Sequence, residues 1–252
     1  MQTISGRDVS RFSFGTMQFG KKASEADSAA MYAACRDAGI NFFDTAHAYT
    51  GGRSEEILGA LVAPERDDIF VATKCAESTD ASPDNIRAEF DKSRTRLGMD
   101  VVDVLYLHRF DPKTPLEATY DVVAKWVEAG LVRHVGISNY AAWQIMKTRR
   151  LADERGISIT CLQPMYNILK RQDEVEILPM ARSEGFKVCP YSPLGGGLLT
   201  GKYADGAAGR ITDDPMYASR YAPTWMHEAA TGLSEIALAA GVAPATLAVA
   251  WA

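Results

Sequence analysis

The chain has 252 residues, 47% of them hydrophobic and 23% charged, with 27 basic against 32 acidic side chains for a net charge of -5. That hydrophobic share excludes a disordered chain, no run of about 18 apolar residues is present to span a bilayer, and scattered basic residues on an acidic balance argue against nucleic acid or a membrane as partner. The start, MQTISGRDVS, carries neither a basic segment nor an apolar stretch, so no secretory leader is read and the cytoplasm is the expected compartment.

In chain order, the opening MQTISGRDVSRFSFG predicts a small hairpin around Gly6 and Arg7, followed by a strand near RFSFGTMQFG. Apolar runs rich in β-branched residues then recur about every 30 residues, the pitch of a βαβ unit. They are NFFDTA from Asn41, IFVATKC from Ile69, VVDVLYLH from Val101, VRHVGIS from Val132, SITCLQP from Ser158 and FKVCPYS from Phe186. Between them lie amphipathic segments: SEADSAAMYAACRDAG, SEEILGALVA, SPDNIRAEFDKSRTRLG, PLEATYDVVAKWVEAG, AAWQIMKTRRLADERG and DEVEILPMARSEG. Several open near Ser, Asp or Pro and close on Gly39, Gly98, Gly130, Gly156 or Gly185, which are helix boundaries with a capping mechanism. After the seventh strand comes a glycine-rich, irregular stretch from about Gly195 to Ala222, and then helices around HEAATGLSEIALAAG and APATLAVAWA.

Strands that read as continuous apolar runs are buried on both faces, as in a parallel sheet, so the class is α/β. No G-x-G-x-x-G follows the first strand to open a helix, which weighs against a doubly wound sheet. The expectation is therefore one (β/α)8 barrel domain over residues 1–252, its bottom plugged by the N-terminal hairpin. Cys35, Cys75, Cys161 and Cys189 lie far apart without zinc-ligand spacing and are expected to be reduced, mostly buried thiols.

Active sites of such barrels sit at the C-terminal strand ends. Asp44 ends NFFD, Lys74 ends IFVATK, His108 ends VLYLH, and Tyr49 follows Asp44 by a short loop. Each alone has a structural account: a turn cap, a surface lysine, a core histidine, a packed phenol. Together they form a workable proton-transfer site. A free tyrosine, with a pKa of about 10, is a reluctant acid near neutrality, but an adjacent ammonium favours the phenolate. On this reading Lys74 tunes Tyr49 as general acid, Asp44 holds the lysine charged, and His108 donates a hydrogen bond to a substrate carbonyl.

Those residues also carry a resemblance. FGTMQFG from Phe14, FFDTAHAY from Phe42, SEEILG, ATK ending at Lys74, LYLHRFD around His108, VGISNY from Val135, QPMYN from Gln163 and YSPLGGGLLTGKY from Tyr191 together resemble the aldo-keto reductases. The likeness is closest to the branch with potassium-channel β subunits and bacterial pyridoxal-type or aryl-aldehyde reductases, and it spans essentially the whole chain. It implies reversible, metal-free hydride transfer between a nicotinamide cofactor, NADPH in preference to NADH, and a small aldehyde or ketone. It also implies Tyr49 as proton donor, with Asp44, Lys74 and His108 around it. For the cofactor it implies Ser138, Asn139 and Gln163 at the nicotinamide carboxamide, Tyr191 stacked on the ring, and Thr16, Met17 and Asp44 at the same end. Ser192, Leu194, Gly197 and Lys202 would surround the pyrophosphate. An eighth strand, an adenosine-contacting segment and a last helix are implied beyond Ala252, so the barrel is expected to be incomplete at that end. His47, Arg109 and the loop from Tyr203 to Tyr221 are candidate substrate-pocket lining. A regulatory or redox-sensing cofactor-binding subunit on the same fold is the alternative function. Two rival motifs fail: GGLLTGKY has Tyr203 where a P-loop needs Ser or Thr, and GISNY lacks the last Gly of a hydrolase elbow.

Overall fold

Strands that read as unbroken apolar runs should lie in the middle of the fold, and the computed structural model places them there. It describes all residues except Ser78, and Asp205 by its backbone alone. The chain divides into two compact units, Met1–Leu162 and Gln163–Ala252.

The first unit alternates β1 (Ser13–Gly15), α1 (Glu25–Asp37), β2 (Phe42–Asp44), α2 (Arg53–Val62), β3 (Phe70–Cys75), α3 (Pro83–Leu97), β4 (Val102–Leu107), α4 (Leu116–Glu128), β5 (Val132–Ser138), α5 (Ala142–Asp153) and β6 (Ile159–Gln163). Strands β1 to β6 neighbour one another in sequence order, and the pairs from β1 through β5 are parallel. Each element falls within its expected segment except α2, which starts one residue earlier, at Arg53. All six residues of β3 and of β4 are buried, the polar Thr73, Lys74 and Asp103 among their apolar neighbours included.

Helix ends follow the predicted chemistry. Ser24 caps α1 in a reciprocal box with Asp27, and Gly98 ends α3 in the left-handed conformation at φ 63°. The N-terminal hairpin reduces to a turn at Gly6, φ 86°, with one antiparallel bridge between Gln2 and Asp8. It docks beside the strand starts, where Ser5 N–H donates to Asp67 O at 2.9 Å and Arg133 Nη2 to Thr3 O at 3.3 Å.

The second unit holds α6 (Ile177–Glu184), β7 (Lys187–Val188), α7 (Arg210–Asp213), α8 (Pro215–Arg220), α9 (Thr224–Ala239) and α10 (Pro244–Trp251). With β7 the described residues supply seven strands of the (β/α)8 barrel pattern, and no eighth is found among them. Two expectations change here. The strand expected over FKVCPYS shortens to two residues, since Pro190 cannot donate to a sheet ladder. The stretch from Gly195 contains more local structure than expected: short turns over Gly195–Thr200, interrupted by non-helical angles at Gly196 and Gly197, and over Lys202–Asp205, then α7 and α8. Among the described residues no single helix is long and apolar enough to cross a membrane.

Asp103 on β4 is fully buried and accepts from Arg66 Nη2 at 2.7 Å, from Val71 N–H at 2.9 Å and from Arg133 Nη1. It joins the strand starts to the segment that precedes β3. Asp103→Asn keeps the shape but removes the charge that both guanidiniums face, so urea unfolding should show a loss of about 3 kcal/mol, at the low end for a broken buried pair because both arginines are partly exposed. A loss near zero would show that the pairs contribute nothing.

Candidate active site

Register alone puts the candidate residues on one face. Asp44 pairs with Ala72, Lys74 pairs with Tyr106, and Tyr106 with Gly136. Paired residues of parallel strands share a face and residues two apart repeat it. Asp44, Lys74, His108 and Ser138 therefore rise on the same side, in successive layers. Gly136 is needed beneath them: a Cβ there would lie 2.4 Å from the Tyr106 ring.

Lys74 has no exposed side-chain area and pairs with the Asp44 carboxylate. Its Nζ also donates to Thr45 O at 2.7 Å and reaches the Tyr49 hydroxyl at 3.4 Å. Burial opposes its charge, yet Asp44 and Tyr49 outweigh that penalty and hold its pKa above the ordinary lysine value. Lys74 is thus a permanent ammonium. The Tyr49 ring meets the His108 ring edge-on, centroids 5.8 Å apart. Burial, then the charges of Lys74 and Arg109, push the His108 pKa down to about 3, so its imidazole is neutral near pH 7. Among the described residues His108 Nδ1 is buried without a hydrogen-bond partner.

The end of β2 is held by buried hydroxyls, of which the sequence singles out Thr16 but not Thr45 or Ser54. Thr16 N–H and Oγ1 both donate to Asp44 O, at 2.8 and 3.0 Å, and Ser54 Oγ lies 2.8 Å from Thr16 Oγ1 and 2.9 Å from Thr45 Oγ1. Glu89 likewise fixes the turn after β3, accepting from Ala76 N–H at 2.7 Å.

Of the remaining expected residues, the first unit places Asn139 beside the tetrad. Its Nδ2 donates to His108 O at 2.9 Å and to Ser138 Oγ at 3.0 Å, with its own backbone left-handed at φ 58°. Thr16 is buried and Met17 half-buried. Arg109 is exposed and pairs with Glu77 at 3.6 Å, whereas His47 is half-buried behind Tyr49. In the second unit Tyr191 N–H donates to Pro164 O and Ser192 O accepts from Asn167 Nδ2, both at 2.9 Å, which ties the two neighbouring turns together. Gln163 is buried. Gly197 N–H donates to Leu194 O at 2.9 Å, and at φ 95° a Cβ on Gly197 would lie 3.3 Å from Lys202 Cε. Lys202 forms no ion pair with a described carboxylate, and its ammonium lies 4.9 Å from the Tyr203 ring centroid. A cation beside side-chain-free backbone fits the phosphates of a nucleotide carrier, and the Ser138 and Asn139 amide and hydroxyl groups fit a carboxamide. Tyr203 and Tyr221, expected as pocket lining, turn inward: Tyr203 Oη donates to Gly196 O at 3.3 Å and Tyr221 is fully buried.

Residues 11–252 match the model of the aldo/keto reductase family. The chain belongs to that family. Across 98% of its length this aldo/keto reductase is 34% identical to a probable voltage-gated potassium channel subunit beta of Oryza sativa subsp. japonica, covering 80% of that protein. It is 37% identical to aflatoxin B1 aldehyde reductase member 2 of Rattus norvegicus over 75% of this chain and 53% of that one. With the uncharacterized oxidoreductase YrpG of Bacillus subtilis (strain 168) it shares 33% identity over 82% of this chain and 70% of the relative. The family and these oxidoreductase relatives make the chain an oxidoreductase of nicotinamide-dependent type.

His108 carries a pH signature. Its pKa falls from 6.5 in the free residue to about 3 in the fold, so between those values the unfolded chain binds the extra proton. Its contribution to stability is whole above pH 6.5 and is lost as pH falls toward 3. His108→Gln lacks this titration, and urea unfolding repeated from pH 6.5 downward should show it losing less stability than wild type. Parallel losses would contradict a buried neutral imidazole.

Proposed function

We propose that this aldo/keto reductase reduces an aldehyde or ketone of a small molecule to the alcohol, with NADPH as cofactor and Tyr49 as proton donor. The contact set of Lys74 with Asp44 and Tyr49 carries the reading. The nicotinamide supplies a hydride to the carbonyl carbon when bound. Tyr49 Oη gives its proton to the carbonyl oxygen, and the Lys74 ammonium stabilises the phenolate left behind. Asp44 keeps that ammonium in place. His108 is neutral, and with its proton on Nε2 it would donate to the carbonyl oxygen and orient it. On the resemblance, Ser138 and Asn139 of the first unit would hold the carboxamide, with Thr16 and Met17 lining that end; in the second unit Gln163 would bind an amide, Tyr191 would offer a ring to stack on, and Ser192, Leu194, Gly197 and Lys202 would receive a pyrophosphate. The rat relative is an aflatoxin B1 aldehyde reductase by name, which supports the substrate class.

The similarity to plant channel subunits over nearly the whole chain supports a second reading, a cofactor-binding regulatory or redox-sensing subunit. The two readings differ in turnover. The purified protein mixed with NADPH and a reactive aromatic aldehyde should show sustained aldehyde-dependent loss of NADPH absorbance; binding with negligible oxidation would favour the regulator. Tyr49→Phe should lower the rate by about 10²- to 10⁴-fold, the usual share of a general acid, with NADPH affinity preserved. Full activity in that variant would remove Tyr49 from its role.

A further inference from the structure

Tyr49 stands on an improbable piece of backbone. It begins a single 3₁₀ turn, Tyr49–Gly52, in which three consecutive residues are left-handed: Thr50 at φ 50°, Gly51 at φ 65° and Gly52 at φ 100°. Glycine accepts this freely, but a β-branched residue there is strained by about 1–3 kcal/mol and persists only where the surroundings impose it.

Thr50 Oγ1 donates to Phe19 O at 3.0 Å and accepts Ser54 N–H at 2.9 Å, and a further group that holds the loop comes from α3. Arg96 Nη1 donates to His47 O at 3.1 Å, and Nη2 donates to Gly51 O at 3.2 Å. These carbonyls lie two residues before and two after Tyr49, so one guanidinium spans the loop that bears the phenol. Nη1 also lies 3.3 Å from His47 Nδ1. The guanidinium occupies the space left by a missing side chain, since a Cβ on Gly52 would lie 2.1 Å from Arg96 Cζ.

Arg96 is itself anchored. Glu55, fully buried on α2, faces Arg96 Nη1 through Oε2 at 3.3 Å and accepts the Thr73 hydroxyl through Oε1 at 2.6 Å. Thr73 immediately precedes Lys74 on β3. A continuous path therefore runs from the strand that carries the ammonium, through Thr73, Glu55 and Arg96, to both sides of Tyr49.

We infer that Arg96, anchored by Glu55, is a positioning residue that holds the Tyr49 loop in register with Lys74. The inference rests on the proton-donor reading for its catalytic consequence, but not for the holding itself. Planarity matters here: a lysine ammonium cannot span two carbonyls four residues apart and also face a carboxylate.

Arg96→Met is the direct test, with Arg96→Lys as the milder variant. Hydrogen exchange should rise roughly tenfold or more at the amides of residues 47–52 in Arg96→Met, with α4 and β4 still protected. The kcat for aromatic aldehyde reduction should fall by about 10²-fold, the cost of an ångström-scale misplacement, while NADPH affinity and KM for aldehyde stay unchanged. Arg96→Lys should fall between wild type and Arg96→Met in both readouts. In a Tyr49→Phe background, Arg96→Met should bring no further loss, because it acts through the phenol. Unchanged loop exchange in a folded Arg96→Met or Arg96→Lys protein would overturn the inference, as would an equal added loss in the Tyr49→Phe background. A fully active Tyr49→Phe would defeat the proton-donor reading, and the loop exchange would still judge whether Arg96 holds the turn.

Discussion

One ammonium taken out of water sets the conditions for everything around it. Lys74 has no exposed side-chain surface, and an unpaired charge in that position would cost far more than a fold of this size can offset. Its partners are therefore obligatory. Asp44 and the Thr45 carbonyl come from the end of β2, which must sit at one height relative to β3, and the hydroxyls of Thr16, Thr45 and Ser54 hold that end in place. The parallel register of the first strands and the buried lysine specify one another.

The same charge acts in opposite senses on two rings. At 3.4 Å from the Tyr49 hydroxyl it favours the charged form of a phenol, and it adds to the burial that keeps the His108 imidazole uncharged. On the proposed mechanism, a phenol that gives up a proton and an imidazole that stays neutral would divide the labour at a carbonyl oxygen. Environment, rather than residue type, separates their roles.

Much of this was legible in the sequence because a strand in a parallel barrel leaves few places for a polar side chain. Asp44, Lys74 and His108 interrupt or end apolar runs, and the two-residue period puts them on one face as soon as the strands are aligned. Helix ends were legible for the same local reason, as with Ser24 and Gly98. Arg96 was not. It lies in SRTRLG two residues from Arg94, and nothing in the pattern shows that Arg94 turns out to the Asp100 carbonyl, at 2.9 Å, while Arg96 reaches under the Tyr49 loop. Glu55 sits in a segment that reads as an ordinary amphipathic helix, and its complete burial follows from tertiary packing alone. The stretch after β7 is irregular where its glycines sit, at Gly196 and Gly197, but the short helices α7 and α8 within it were not legible from composition. The roles assigned to Gln163, Tyr191 and Lys202 came from resemblance and not from any spacing.

The central claim is that the buried Lys74 charge makes Tyr49 an effective acid. Its most direct test is the single-turnover rate of aromatic aldehyde reduction by Lys74→Met loaded with saturating NADPH, compared with wild type, after circular dichroism has shown that the variant is folded. The account predicts a rate lower by about 10²-fold or more, with bound NADPH still present. A wild-type rate in the folded, NADPH-loaded variant would contradict it.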